Sequence, residues 1–200
     1  MKRTLLVILT LSVAIVAVLV AIPHFQSPKI DRYCFDSVNL GIRVTDNEKC
    51  NPRLLELGTG LITASPSSDG KVHSLNLLLK NRFRAVQLVA DRAGISLRIT
   101  SGFRTYAKQA AMYKKEVILK GSETSAAHWV LPPRLSHHTQ GVAIDIASAN
   151  GDADMAWLSS HASAFGLCRT YANERWHYEG AIAPGESCPP MASSALVNLR

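Results

Sequence analysis

The chain has 200 residues, with 22 Lys and Arg against 15 Asp and Glu and a formal charge of +7 at pH 7. This length is sufficient for one domain with a hydrophobic core. No cluster of basic residues interleaved with aromatic residues occurs, which argues against a nucleic-acid partner. A positive surface suits an anionic neighbourhood such as lipid headgroups or cell-wall polymers, although it also serves solubility alone.

The N-terminal residues 5–22 form an apolar run that only Thr10 and Ser12 interrupt, and Lys2 and Arg3 precede it. The run has the length of a spanning helix, roughly 17–25 residues, and exceeds the about 7–15 apolar residues of a cleaved signal peptide. The basic residues are expected to stay inside. We therefore expect a single-pass transmembrane helix in the cytoplasmic membrane, with the rest of the chain on the periplasmic or extracellular side. A cleaved signal segment is the alternative.

Four cysteines follow, and none of them forms a Cys-x-x-Cys pair, so a zinc site built from cysteines is not expected. In an exported protein an even number of cysteines predicts disulfides. Three pairings are possible, and the pairs Cys34–Cys50 and Cys168–Cys188 close the shortest loops. We predict these two disulfides.

The remaining elements are predicted in chain order. Residues 23–53 indicate a linker and an irregular segment, residues 54–180 a folded domain, and residues 181–200 an irregular C-terminal tail. Apolar periodicity predicts helices over residues 75–92, 106–119 and 152–165, with Asp152 as a possible N-cap of the last. Residues 95–100 alternate and predict a strand, and shorter strands are expected at 142–146 and 175–179. Without a βαβ rhythm, the pattern indicates an α+β fold with a small, mostly antiparallel sheet flanked by helices.

Polar residues cluster around the strand predicted at 142–146. Its apolar positions face one side of the sheet, and Asp145 faces the other beside a small residue. His138 lies on the loop before this strand, and His177 comes from a different strand. Two imidazoles and one carboxylate form a three-ligand zinc site with an open fourth position, which is typical of catalytic zinc. Spacing does not choose between His137 and His138, and each residue alone fits an ordinary surface or hydrogen-bonding role.

Three motifs carry a family resemblance. Residues 136–145 follow the pattern Ser-x-His-x-x-Gly-x-Ala-x-Asp, residues 174–177 follow Glu-x-Trp-His, and residues 101–105 read Ser-Gly-Phe-Arg-Thr, with Gln109 soon after. In this order the motifs resemble those of the VanY-type D-alanyl-D-alanine carboxypeptidases, zinc peptidases that act on peptidoglycan. The resemblance implies a zinc peptidase domain over residues 54–180.

The resemblance also implies roles for individual residues. His138, Asp145 and His177 would bind Zn²⁺, and Glu174 would be the general base. Arg104 would stabilise the oxyanion or hold a substrate carboxylate. The resemblance places Ser136 and Gln109, together with Arg104, among the substrate-binding residues.

The implied function is removal of the terminal D-Ala from peptidoglycan stem peptides. Alternatives are an endopeptidase or a D-Ala-D-Ala dipeptidase with the same site, and a non-catalytic wall-binding module. The chain departs from the family pattern at Arg134, where the family often has Gly, and at Arg175, where it often has Pro. Both departures put the substrate in more doubt than the chemistry. A strict strand would place Glu174 and His177 on opposite faces, so a turn or bulge is expected between them.

Overall fold

The computed structural model of the protein describes residues 32–45 and 49–199. Within them an N-terminal three-stranded sheet precedes a four-stranded sheet with helices around it. The elements, in chain order, are β1 (Arg32–Asp36), β2 (Gly41–Thr45), β3 (Leu55–Gly58), α1 (Leu77–Arg92), β4 (Leu97–Ser101), α2 (Tyr106–Lys120), α3 (Glu123–Ala127), β5 (Ala143–Ser148), α4 (Asp152–His161), a 3₁₀ helix (Ala162–Phe165), β6 (Cys168–Arg169), β7 (His177–Glu179) and a second 3₁₀ helix (Ala195–Leu199).

The N-terminal sheet corrects one expectation. Residues 23–53 were predicted to be irregular, but β1 and β2 form an antiparallel hairpin there, and β3 pairs antiparallel with the other side of β1. The two hairpin strands are short and carry charged residues, so neither shows a clear alternation in the sequence. Pairing with β3 and the disulfide between Cys34 and Cys50 hold the hairpin in place.

The main sheet has the strand order β4-β5-β7-β6, and every neighbouring pair in it is antiparallel. The expected α+β fold with an antiparallel sheet flanked by helices is confirmed. Helix α1 packs against β3 and β4, and α4 packs against β5. The predicted apolar face of β5 lies in the core: Val142, Ile144 and Ile146 are all buried.

The predicted helices and strands are present, with boundaries that differ locally. Helix α1 begins at Leu77 because the side chain of Asn76 accepts a hydrogen bond from the backbone N–H of Leu78 and caps the helix. The residue before α4 is Gly151, so Asp152 is the first helical residue and not the N-cap. The predicted third helix changes to 3₁₀ geometry at Ala162. Helix α3 and strand β6 were not predicted.

Both predicted disulfides, Cys34–Cys50 and Cys168–Cys188, are present. The predicted membrane span at residues 5–22 lies outside the described part of the chain. Among residues 32–45 and 49–199, no helix has the length and apolarity needed to cross a bilayer.

A buried arginine joins distant parts of the chain. Arg82, on α1, is fully buried, and its guanidinium donates hydrogen bonds of 2.6–2.7 Å to four backbone carbonyls. Two of these belong to Leu57 and Gly60 in the N-terminal part, and two belong to Gly166 and Ile182 beyond the main helices. Burial lowers the pKa of Arg82 to about 10, so the side chain stays protonated at neutral pH. The sequence carries no motif that singles out this residue.

Replacing Arg82 should therefore destabilise the fold. Arg82→Met leaves the buried carbonyls without donors, and each unsatisfied group costs about 1–3 kcal/mol, so we expect a total loss of roughly 3 kcal/mol or more. Urea unfolding monitored by tryptophan fluorescence measures this loss. The matched control is Arg84→Met on the exposed side of the same helix, which should change stability by less than about 0.5 kcal/mol. Equal effects of the two substitutions would contradict the assigned role.

Candidate functional site

The register of the main sheet brings the motif residues together. Asp145 of β5 lies opposite Ser101 of β4 on one side and opposite His177 of β7 on the other. A register shift occurs in β4 between Ile99 and Ser101, so the end of this strand is displaced relative to the regular ladder. The three predicted motifs therefore meet across neighbouring strands.

The loop before β5 positions His138. Gly141 has φ +71°, and a Cβ atom there would collide with the backbone carbonyl of Ser74, so the turn requires glycine. The N–H of Gly141 donates to the carbonyl of His138, and the N–H of Arg104 donates to the same carbonyl. His138 is thereby held between its own turn and the loop that carries Arg104.

The three predicted ligands form a compact, buried group. His138 Nε2 and His177 Nδ1 each lie 3.3 Å from Asp145 Oδ1, and the three ligand atoms lie within 4.8 Å of one another. Donors that share a tetrahedral zinc ion at 2.0–2.2 Å lie about 3.4 Å apart, so the spacing fits such an ion. In the described part of the chain, this is the only set of three His, Cys, Asp or Glu side chains close enough to hold a metal.

The second nitrogen of each imidazole faces a protein acceptor. His138 Nδ1 lies 2.8 Å from the carbonyl of Gly102, and His177 Nε2 lies 2.9 Å from Glu179 Oε1. When each of these nitrogens donates, the opposite nitrogen is left free to bind a metal. His137 Nδ1 lies 2.8 Å from the same oxygen of Glu179. Of the two histidines, His138 thus contributes a nitrogen to the candidate metal group, whereas His137 contacts Glu179.

The charges of the group are strongly coupled. Burial alone would lower the pKa of His177, but the hydrogen bonds with Asp145 and Glu179 outweigh it and raise the pKa to about 9. Burial would raise the pKa of Asp145, yet the hydrogen bonds with His138 and His177 hold it below its usual range. Burial lowers the pKa of His138. The metal-free site therefore holds a protonated His177 between two carboxylates.

Glu174 reaches the same group through a tight turn. The N–H of His177 donates to the carbonyl of Glu174, so residues 174–177 form a turn and β7 begins only at His177. This is the turn expected from the three-residue offset. Glu174 Oε2 lies 3.9 Å from His177 Nδ1, and Glu174 Oε1 is buried without a hydrogen-bond partner. Burial raises the pKa of Glu174 to about 7.

Arg104 lies on the other side of Asp145. Its Nη2 donates to Asp145 Oδ2 at 2.5 Å, its Nε donates to Ser101 Oγ, and its Nη1 donates to Gln109 Oε1. Gln109 is the only buried residue of α2, and its amide also donates to the carbonyl of Leu131. Gln109 thus supports Arg104. A guanidinium has five N–H groups, so Arg104 keeps donors for a ligand.

A small cleft of about 170 Å³ opens onto this group. Ser136, Arg104 and Gln109 line it, as expected. Its apolar walls were not predicted from the sequence and come from Met112, Trp129, Val130, Leu131, Tyr171, Trp176 and Ala195.

Sequence reasoning also missed Glu179 and Tyr171. Glu179 lies two residues after His177 in β7, so strand alternation places both side chains on one face, and that spacing could have identified it. The ring of Tyr171 packs 5.0 Å from the ring of His177, measured between centroids. Tyr171 precedes β7 on an irregular segment, where no sequence pattern signals the contact.

Comparison with known proteins places these observations in a family. Residues 72–182, more than half of the chain, match the family described as VanY, D-alanyl-D-alanine carboxypeptidase. A D-alanyl-D-alanine carboxypeptidase of Enterococcus faecalis (strain ATCC 700802 / V583) is 30% identical over 42% of this chain and 40% of its own length. The peptidoglycan L-alanyl-D-glutamate endopeptidase CwlK of Bacillus subtilis (strain 168) is 31% identical over 42% of this chain and 47% of its own. The chain spans less than half the length of the curated relatives it matches.

A solved structure with a similar fold is that of VanYB in complex with D-alanine-D-alanine. The likeness has a TM-score of 0.50 and 24% identity, and it covers 62% of this chain and 78% of the other. At this identity the likeness shows the fold alone.

Substituting each of the two adjacent histidines in turn should show which of them binds the metal. His138→Ala should lose the metal, whereas His137→Ala should keep about one zinc per chain, because only His138 contributes a donor atom to the group. Metal analysis after zinc reconstitution and desalting measures the content. The reverse pattern would move the ligand by one position.

Zinc affinity should rise with pH. The pKa of His177 is about 9 in the metal-free site, so at neutral pH the metal must displace a proton from this ring. Below pH 9 we therefore expect the affinity to increase about tenfold per pH unit, and above it this dependence should be lost. Competition with a chelator at several pH values measures the slope. An affinity that is flat between pH 7 and 8 would show that His177 is already neutral.

Proposed function

Because the chain belongs to the VanY family of D-alanyl-D-alanine carboxypeptidases, we propose that it is a zinc-dependent peptidase that removes the terminal D-Ala from peptidoglycan stem peptides. His138, Asp145 and His177 would hold the zinc ion, Glu174 would be the general base, and Arg104 would bind the substrate. The chemistry of the donor set, two imidazoles and one carboxylate, favours zinc.

One observation carries the proposal. Glu174 presents a buried oxygen without a partner beside the donor group, and burial raises its pKa to about 7. A buried carboxylate whose pKa lies near 7 and whose one oxygen lacks a hydrogen-bond partner is typical of a site that moves protons. A module that only binds cell wall has no need for an open metal position beside a base, so the arrangement favours catalysis over the non-catalytic alternative.

The proposed reaction is hydrolysis of a peptide bond. A bound zinc ion would supply the Lewis acidity that polarises a peptide carbonyl and makes a water molecule acidic near neutral pH. Glu174, whose pKa burial raises to about 7, would accept a proton from the attacking water near neutral pH. The water oxygen would add to the peptide carbonyl carbon, and Glu174 would donate the proton to the amine of the terminal D-Ala as the C–N bond breaks. With His177 Nδ1 as a metal ligand, its Nε2–H would donate to Glu179, which fixes the tautomer and the orientation of the ring.

Arg104 would recognise negative charge in the cleft. Its guanidinium is fixed on three sides by Asp145, Ser101 and Gln109, so its remaining N–H groups point in a set direction without further ordering. These donors suit either the charge that develops on the carbonyl oxygen or the terminal carboxylate of the substrate.

The size of the cleft supports a small leaving group. Its volume of about 170 Å³ lies below the roughly 300–1,000 Å³ of pockets for larger ligands. A single terminal D-Ala fits such a space better than a long peptide. The likeness to the endopeptidase CwlK favours internal cleavage of the stem as the second candidate, and a D-Ala-D-Ala dipeptidase activity uses the same groups.

The proposal includes a place in the cell. The apolar run at residues 5–22, preceded by Lys2 and Arg3, supports a single-pass anchor in the cytoplasmic membrane. The two disulfides support an oxidising compartment for the catalytic domain. An anchored enzyme on the periplasmic or extracellular side would meet peptidoglycan directly.

Digestion of defined muropeptides tests the proposal. With a pentapeptide stem that ends in D-Ala-D-Ala, the zinc-loaded enzyme should release single D-Ala and leave a tetrapeptide, as measured by mass spectrometry. Release of the dipeptide or cleavage inside the stem would support the alternatives. Absence of any cleavage by zinc-loaded enzyme would refute the proposed function.

Glu174→Gln should lower the rate of that reaction by about 10²–10⁴-fold, because glutamine keeps the shape of the side chain but does not accept the proton. Zinc content and thermal melting should stay unchanged, since the three ligands remain. Glu123→Gln, an exposed position on α3, is the matched control and should keep full activity. Zinc loss from Glu174→Gln would make Glu174 a ligand, and full activity would assign the base to another residue.

A further inference from the structure

The C-terminal segment after residue 182 lies beyond the part of the chain that matches the family, yet it returns to the catalytic cleft. The disulfide between Cys168 and Cys188 ties its first half to β6. Ala192 then pairs in parallel with Tyr171. Its N–H donates to the carbonyl of Thr170, and its carbonyl accepts from the N–H of Ala172. The segment is thus fixed to the strand region that precedes Glu174.

A buried polar contact fixes the next part of the segment. Ser194 is buried, and its Oγ lies 2.8 Å from His128 Nδ1, just after α3. The carbonyl of His128 in turn accepts a hydrogen bond from the side-chain amide of Asn173. His128 therefore connects the C-terminal segment with the residue that directly precedes Glu174 in the chain.

These contacts position Ala195 at the cleft. Ala195 is 3% exposed and belongs to a small apolar cluster that also contains Ala127, Leu131 and Tyr171. Three members of this cluster, Leu131, Tyr171 and Ala195, also line the catalytic cleft. The wall that they form is apolar, and the side chain that the C-terminal segment contributes is a single methyl group.

We propose that the segment 191–199 is a specificity-determining wall, which closes the cleft and restricts the leaving group to a small terminal residue. This inference rests on the proposed function and identifies the part of the chain that makes the enzyme a carboxypeptidase. The apolar wall suits the methyl side chain of D-Ala, while Arg104, which also lines the cleft, suits a carboxylate. Because Ala195 is small, any larger side chain at this position would occupy space that the leaving group needs.

The first experiment fills the space. Ala195→Leu should lower kcat/KM for release of D-Ala from a pentapeptide stem at least about tenfold, because hydrophobic pockets discriminate by that much for each carbon group. It should also weaken binding of the dipeptide D-Ala-D-Ala in calorimetry, while zinc content stays unchanged. Val197→Leu, at a position that is 44% exposed in the same helix, is the matched control and should match the wild type. Wild-type binding and activity in Ala195→Leu would overturn the proposal.

The second experiment removes the wall. A chain that ends at Pro190 should gain activity on a stem with one extra residue after the terminal D-Ala, relative to the unextended stem. An unchanged ratio of the two kcat/KM values in folded, zinc-loaded protein would overturn the proposal. If the shortened chain does not fold, Ala195→Leu decides alone. Absence of D-Ala release by the wild type would refute the proposed function instead, and the dipeptide-binding comparison would still test the wall.

Discussion

The register of strand β5 is the constraint on which the site depends. Antiparallel pairing sets Asp145 opposite Ser101 on one side and opposite His177 on the other. Because side chains alternate along a strand, a slip by one residue would turn Asp145 toward the core and bring Ile144 or Ile146 into the cleft. The apolar face of the strand prevents that slip, since Ile144 and Ile146 are almost completely buried. The packing of one face of β5 in the core therefore also fixes the position of the metal-ligand candidate on its other face.

The charge distribution of the site explains how several acidic and basic side chains share a small, buried volume. Asp145 contacts the two imidazoles through Oδ1 and accepts a hydrogen bond from Arg104 through Oδ2. Glu179 accepts a hydrogen bond from His177 on the side of the ring away from Asp145. Burial would raise the pKa of Glu179, but its interactions with His137 and His177 outweigh burial and lower this pKa to about 2. Glu174 has no comparable partner, so burial dominates and its pKa rises. The same burial thus leaves one carboxylate as a fixed anion and another ready to exchange a proton.

The sequence predicts the local and chemical parts of this protein better than the long-range ones. The helices follow from apolar periodicity, and the site residues from motifs whose donor types suit zinc. The hairpin at residues 32–45 could not be predicted, because its strands are short and depend on pairing with β3 and on a disulfide. Arg82 was missed for a related reason, since its four acceptors come from backbone groups far apart in the sequence. Every residue has a backbone carbonyl, so the sequence does not show which carbonyls accept hydrogen bonds from a buried arginine.

Arg82 also shows how the regions outside the family match are attached to it. Two of its acceptors, Leu57 and Gly60, precede residue 72, whereas Gly166 and Ile182 lie within the match. One buried cation therefore fastens the N-terminal sheet to the end of the common domain. The C-terminal segment is attached by different means, a disulfide and the contact between Ser194 and His128. The C-terminal segment reaches the cleft at Ala195, whereas none of the residues that line the cleft comes from the N-terminal sheet. The C-terminal segment therefore contributes to the wall of the cleft, while the register of β5 sets the ligands.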